Sequence, residues 1–129
     1  MRTRCVGGIV RDGDGRLLLV RRGRPPGAGL WSVPGGRVEP GEDDPAAVAR
    51  ELKEETGLDV AVGALAGTVE RPGPEGVVFE IHDYAATVTG GTLRAGDDAD
   101  DVAWVRPDDL ADLPLTPGLL DALAEWGVL

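Results

Sequence analysis

The chain contains no asparagine or glutamine and only one lysine, histidine, cysteine, methionine, phenylalanine and tyrosine. Beside abundant Arg, Ala and Gly, that bias is a mark of GC-rich coding and says little about function. One cysteine, Cys5, excludes an internal disulfide and agrees with a reducing, cytoplasmic compartment. Cys5 precedes an apolar, strand-like stretch, so it reads as a buried structural thiol in preference to a nucleophile. No run approaches the roughly 20 apolar residues of a membrane span. The apolar segment after Met1-Arg2-Thr3-Arg4 is too short for a signal peptide. Positive charge is scarce, at 13 Lys and Arg against 23 Asp and Glu, and a net charge of −10 disfavours binding of nucleic-acid polymers. An anionic small molecule would need local help from metal ions and clustered arginines.

What is present fits one globular domain over residues 1–129, with 42% hydrophobic and 28% charged residues. Arg4 to Arg11 and Arg16 to Arg21 are rich in Val, Ile and Leu and predict two strands, joined by a hairpin turn at Asp12-Gly13-Asp14-Gly15. That turn resembles a calcium loop only superficially, because the glutamate at the loop's twelfth position is missing. Residues 22 to 31 predict a Pro/Gly-rich loop. Asp59 to Glu70, Val77 to Thr89 and Val102 to Val105 predict further strands, the long middle one able to carry a bulge, with a loop at Arg71 to Gly76. Two short helices are expected at Asp108 to Leu113 and Pro117 to Trp126. Strands alternating with helices give an α/β fold.

The most informative stretch is Gly36 to Leu58. Asp43 or Asp44 can cap a helix, Pro45 suits its first position, and Gly57 suits a left-handed stop. On that helix Glu51, Glu54 and Glu55 share a face, since residues three or four apart are neighbours. Like charges so close repel, and a divalent cation would convert the repulsion into a binding site. Pro45, Val48, Ala49 and Leu52 form an adjacent apolar face for packing on a sheet. Arg50 lies four residues before Glu54 and can hold its carboxylate. The preceding segment Pro34 to Glu42 predicts a loop whose glycines let backbone approach a ligand or metal closely.

Gly36, five residues, Glu42, seven residues, Arg50-Glu51-Leu52, one residue, Glu54-Glu55, one residue, Gly57-Leu58 resembles the complete Nudix box with no departure. The approach Leu30-Trp31-Ser32-Val33-Pro34-Gly35-Gly36 is also similar to that family. The resemblance implies an α/β/α sandwich around a mixed central sheet, and a Mg²⁺-dependent pyrophosphohydrolase with Mn²⁺ as a substitute. It implies metal binding by Glu51, Glu54, Glu55 and the carbonyl of Gly35. It also implies Glu51 as a candidate general base and Arg50 as the group orienting a glutamate. Mg²⁺ suits the chemistry because it prefers oxygen ligands, keeps several waters and polarises phosphoryl groups. Glu42 either bonds within its loop or completes a water-mediated metal shell.

Outside the box, Asp97-Asp98-Ala99-Asp100-Asp101 occupies a place where relatives often carry another carboxylate. Asp98 is the first choice by its spacing from Trp104, Glu80 is a rival, and a solvated acidic loop is the simpler role. Arg22, and less so Arg21, can meet phosphates through forked donors, or merely be exposed. Trp31 can stack on a base, while Trp104, Trp126, Phe79 and Tyr84 read as core or surface anchors. His82 reads as structural.

The resemblance implies attack of water on one phosphorus of a nucleoside diphosphate linked to another moiety. Pro74, sixteen residues beyond Leu58, hints at ADP-ribose or nucleotide sugars, whereas the compact size equally suits dNTPs, including 8-oxo-dGTP. A non-catalytic nucleotide sensor of the same fold is the contrasting expectation, disfavoured because all three box carboxylates are present. An isoprenoid-isomerase role is set aside on chain length and the lone Cys5. The expected partner is a small nucleotide, with no membrane, and a homodimer is the assembly the family suggests.

Overall fold

The computed structural model describes residues 1–25 and 27–129, so the part of the 22–31 loop at Pro26 lies outside the described residues. The strands are β1 (Arg2–Val10), β2 (Leu17–Arg22), β3 (Trp31–Ser32), β4 (Gly35–Arg37), β5 (Leu58–Pro72), β6 (Val78–Gly91) and β7 (Ala99–Val105). The helices are α1 (Asp44–Thr56) and α2 (Leu119–Glu125), with 3₁₀ turns at Pro74–Gly76 and Pro107–Asp112. A mixed four-stranded sheet runs β4-β1-β6-β5, and an antiparallel three-stranded sheet runs β3-β2-β7.

Apolar alternation explains the layering. In β1, Val6 and Val10 face α1 and pack with Ala47, Val48 and Leu52, while Ile9 faces the other way toward Leu110, Leu119 and Leu123. Leu17 to Val20 are all buried, so β2 is covered on both faces, as a near-continuous apolar run requires. The result is the α/β/α sandwich with a mixed sheet. Among the described residues no helix is long and apolar enough to cross a membrane.

Several expectations need correction. The turn at Asp12 to Gly15 forms, with the Gly15 N–H donating to Asp12 O at 3.1 Å. After one bridge, Arg11 to Leu17, its strands part into different sheets, because each has a better partner elsewhere. Trp31 and Gly35–Arg37, expected in loops, lie in the strands β3 and β4, held by ladders to β2 and β1. Those ladders override the poor strand propensity of Gly-Gly-Arg. The buried face of α1 is Asp44, Ala47, Val48, Leu52 and Thr56. Pro45 is exposed at the first turn. β7 begins at Ala99, leaving Asp97 and Asp98 in the turn before it. The last helix starts at Leu119 because Gly118 caps it at φ 79°.

Candidate active site

Helix α1 is set by both ends. The Asp43 carboxylate accepts from the Ala46 N–H at 2.9 Å, and Gly57 closes the helix at φ 75°. The Arg94 and Gly96 N–H groups donate to the carbonyls of Thr56 and Glu55 at 2.9 and 3.0 Å. These bonds satisfy helix-end acceptors and hang the acidic 97–101 segment beside the last turn.

Arg50 is the organising cation of the carboxylate face. Its Nε and Nη2 donate to Glu42 at 2.8 and 2.9 Å, and its Nη1 to Glu51 at 2.9 Å and Glu54 at 3.2 Å. Its Nη2 also donates to the Arg37 carbonyl at 3.0 Å, tying the helix to β4. Glu42 is thereby held in its loop, since it also accepts from the Glu39 N–H at 3.0 Å. The forked Arg50 contact holds Glu42 down to about pKa 2.

Glu51 and Glu55 are the carboxylates left short of positive charge. A Cβ at Gly36 would stand 2.6 Å from the Glu51 carboxyl, so the carboxylate lies directly on the glycine and any larger residue would make it shift. Burial raises the Glu51 pKa, partly offset by Arg50. Glu55 Oε2 accepts from the Gly35 N–H at 3.2 Å. Burial, then the charge of Glu51, pushes Glu55 up to about 8. Glu54 is exposed and stands on the same side. Every donor here is a hard oxygen. Among the described residues no three His, Cys, Asp or Glu groups already form a metal cage. An all-oxygen donor set of this kind fits a hard divalent cation, which completes its shell with water and substrate phosphate.

The other candidates separate. Arg22 lies near enough to Glu55 to oppose its upward shift. Arg21 turns the other way and sits over the Trp31 ring, 5.9 Å from its centroid. Trp31 packs against the core layer of α2, and its backbone is clasped by Pro114 O and Thr116 N at 2.8 and 2.9 Å. Asp98 is exposed and pairs with Arg24 at 3.0 Å, yet its charge still reaches Glu55. Glu80 bonds His82 at 2.8 Å and, with Arg2, stands toward the other end of α1. Cys5 is buried, and burial raises its thiol pKa.

Sequence reasoning missed two buried aspartates. Asp44 accepts from Arg4 at 2.8 and 2.6 Å and from the Tyr84 hydroxyl at 2.6 Å. Asp83, 4% exposed, carries an Oδ1 with no partner among the described residues, and burial pushes its pKa up to about 6. The available signals were an acidic residue inside an apolar strand and the paired glycines Gly7-Gly8 in another, which mark close approach.

Comparison with known proteins agrees with this geometry. The NUDIX domain family matches residues 1–126. An ADP-ribose pyrophosphatase of Methanocaldococcus jannaschii is 42% identical over 112 residues, covering 85% of this chain and 63% of that protein. The CTP pyrophosphohydrolase of Escherichia coli is 34% identical over 93% of this chain and 88% of that one. The crystal structure of a MutT NUDIX hydrolase from Burkholderia pseudomallei superposes with TM-score 0.86 at 32% identity, over 96% and 97% of the two chains.

Proposed function

The chain belongs to the Nudix family, and from that premise we propose that it is a metal-dependent pyrophosphohydrolase acting on a nucleoside diphosphate derivative. The observation that carries this reading is the under-neutralised pair Glu51 and Glu55 beside an Arg50 already engaged with Glu42. Buried carboxylates with raised pKa values and no adequate counter-charge are the mark of a site awaiting a cation. Glu51, Glu54 and Glu55, with the Gly35 carbonyl, would hold Mg²⁺, or Mn²⁺ in its place. Bound there, the metal would neutralise phosphate oxygens and lower the pKa of a water.

The chain's own residues do the rest. Arg50 fixes the rotamers of Glu51 and Glu54, so their oxygens point to one side without reorganisation. Glu51, packed on Gly36, is placed to take the proton of the attacking water. Arg22 meets the phosphate that leaves or stays, and Asp98 borders the same space. The products would be a nucleoside monophosphate and the remaining phosphate-bearing fragment.

For substrate, the favoured class is ADP-ribose or a nucleotide sugar, supported by identity to the archaeal ADP-ribose pyrophosphatase. Fuller coverage of the CTP pyrophosphohydrolase supports the nucleoside triphosphate class as the second reading, 8-oxo-dGTP included. We place the protein in the cytoplasm, as one domain, with a homodimer as its assembly. Formation of the nucleoside monophosphate from ADP-ribose, nucleotide sugars, CTP, dNTPs and 8-oxo-dGTP, with and without Mg²⁺, tests the proposal. Metal-dependent turnover of one class, absent in Glu54→Gln, supports it. Tight binding without turnover would replace it with a nucleotide sensor.

A further inference from the structure

Strand register places four residues in one row across the mixed sheet. Gly35 on β4 pairs with Gly7 on β1, Gly7 pairs with Asp83 on β6, and Asp83 pairs with Gly67 on β5. Asp83 is the one side chain in a row otherwise made of glycine. The row lies on the face away from α1, because the neighbouring positions Gly8 and Gly36 are the ones that meet Leu52 and Glu51.

The glycines make room for the carboxylate. A Cβ at Gly7 would stand 2.1 Å from Asp83 Oδ1 and 3.4 Å from the Pro34 carbonyl. At the far end the Trp126 ring sits on Gly67, where a Cβ would fall 2.0 Å from it. Gly7 and Asp83 are themselves buried, so with Gly67 under Trp126 the row reaches solvent at the half-buried Gly35. That end adjoins the candidate active site, since the Gly35 N–H holds Glu55. Two strand spacings, about 10 Å, separate Gly35 from Asp83, a span comparable to that from the phosphate of a nucleotide to the far edge of its base. The next row carries Cys5, buried, and Ile81, half-buried, so the same face continues as apolar surface.

Asp83 Oδ1 is buried and has no partner among the described residues. A buried carboxylate oxygen in that state destabilises the fold, and its retention asks for a reason. We propose that Asp83 reads the base of the nucleotide substrate, its Oδ1 accepting a hydrogen bond from a ring or amino N–H seated over the glycine row. This rests on the reading of a nucleotide substrate but not on hydrolysis.

The test is calorimetric binding of ADP, CDP, GDP and UDP to wild type, Asp83→Asn and Asp83→Ala, in chelator and again with Ca²⁺. Wild type should favour one base by roughly 10–100-fold, the usual effect of a hydrogen bond to a charged group. Asp83→Ala should level that preference, and Asp83→Asn should reorder it, because an amide keeps one acceptor oxygen and turns the other into a donor. Both variants should melt no lower than wild type, which separates a reader from a scaffold residue. Level affinities in wild type, or an unchanged ranking in both variants, would overturn the assignment. A ranking that depends on Asp83 without any metal-dependent turnover would sink the hydrolase reading and leave this one standing.

Discussion

The two ends of α1 carry buried carboxylates treated in opposite ways. Near the N-terminus, Asp44 is met by Arg4 and by the Tyr84 hydroxyl, and its pKa is lowered, the Arg4 hydrogen bond being the largest cause. Near the C-terminus, Glu51 and Glu55 are half-buried, yet burial outweighs their partners and both pKa values are raised. A carboxylate that serves the fold receives its counter-charge from the chain. One that serves a ligand is left to obtain it from outside, and the fold tolerates the cost. The same contrast divides the sheet's two faces, where Asp44 is satisfied and Asp83 is not.

The sharpest way to break this comparison is Glu55→Gln. It should cut metal-dependent turnover by at least about a hundredfold, while thermal melting without metal changes little at neutral pH, where a carboxyl pushed up to about 8 is mostly protonated, and rises above pH 8, where the variant removes a charge. Ordinary turnover in this variant would make Glu55 no different from Asp44.

Arg50→Ala comes next. It strips Glu42, Glu51 and Glu54 of their shared cation, so turnover should fall about tenfold or more and the melting temperature should drop. Arg50→Lys should recover little, since one ammonium cannot reproduce the forked contact with Glu42. Loss of stability with unchanged kcat would mark Arg50 as purely structural. The Glu42 bond also has a pH signature. Its folded pKa lies near 2, so its contribution is complete above the unfolded value and is lost only as pH falls toward 2.

Asp44→Asn should destabilise by about 1.5–3 kcal/mol at neutral pH, the range for hydrogen bonds to a charged group, with kcat near wild type. The half-exposed Arg4 places it toward the lower end. Because the folded Asp44 pKa is depressed, this difference should be full above the unfolded carboxylate value and fade as pH falls through the folded one. Asp83 carries the opposite sign. Its pKa of about 6 is raised above the unfolded value, so its charged form disfavours the fold. Asp83→Asn should gain stability that is greatest above pH 6 and vanishes on acidification toward the unfolded pKa. Denaturant melts at pH 4, 6 and 8 read both signs together.

The smallest effect is expected from Trp31→Ala. Trp31 is bound to the α2 layer and stacked under Arg21. The variant should melt lower and raise KM only modestly, whereas a large KM increase with unchanged melting would return it to the substrate.

The α1 site was legible because its information is local. Capping residues, a helical turn and the spacing of Arg50, Glu51, Glu54 and Glu55 all lie within one segment, where 3.6 residues per turn fixes who faces whom. β3 and β4 were not legible, being two- and three-residue strands that exist only through partners far along the chain. The parting of β1 and β2 was hidden for the same reason, as turn chemistry specifies a turn and not which sheet each strand joins. Arg22 was preferred to its neighbour Arg21 by its fit to the family position, and strand alternation gave that preference a physical cause by sending Arg21 to Trp31 and Arg22 toward Glu55.

By itself, then, the sequence determined the helix, its caps, its row of carboxylates and the family to which they point. Tertiary structure alone decided which carboxylates would be neutralised. Asp44 found Arg4 forty residues away, Glu55 found the Gly35 N–H and the charge of Arg22, too little to offset its burial, and Asp83 met glycine on both neighbouring strands. Burial and counter-charge are properties of what packs around a group, and no spacing along the chain encodes them.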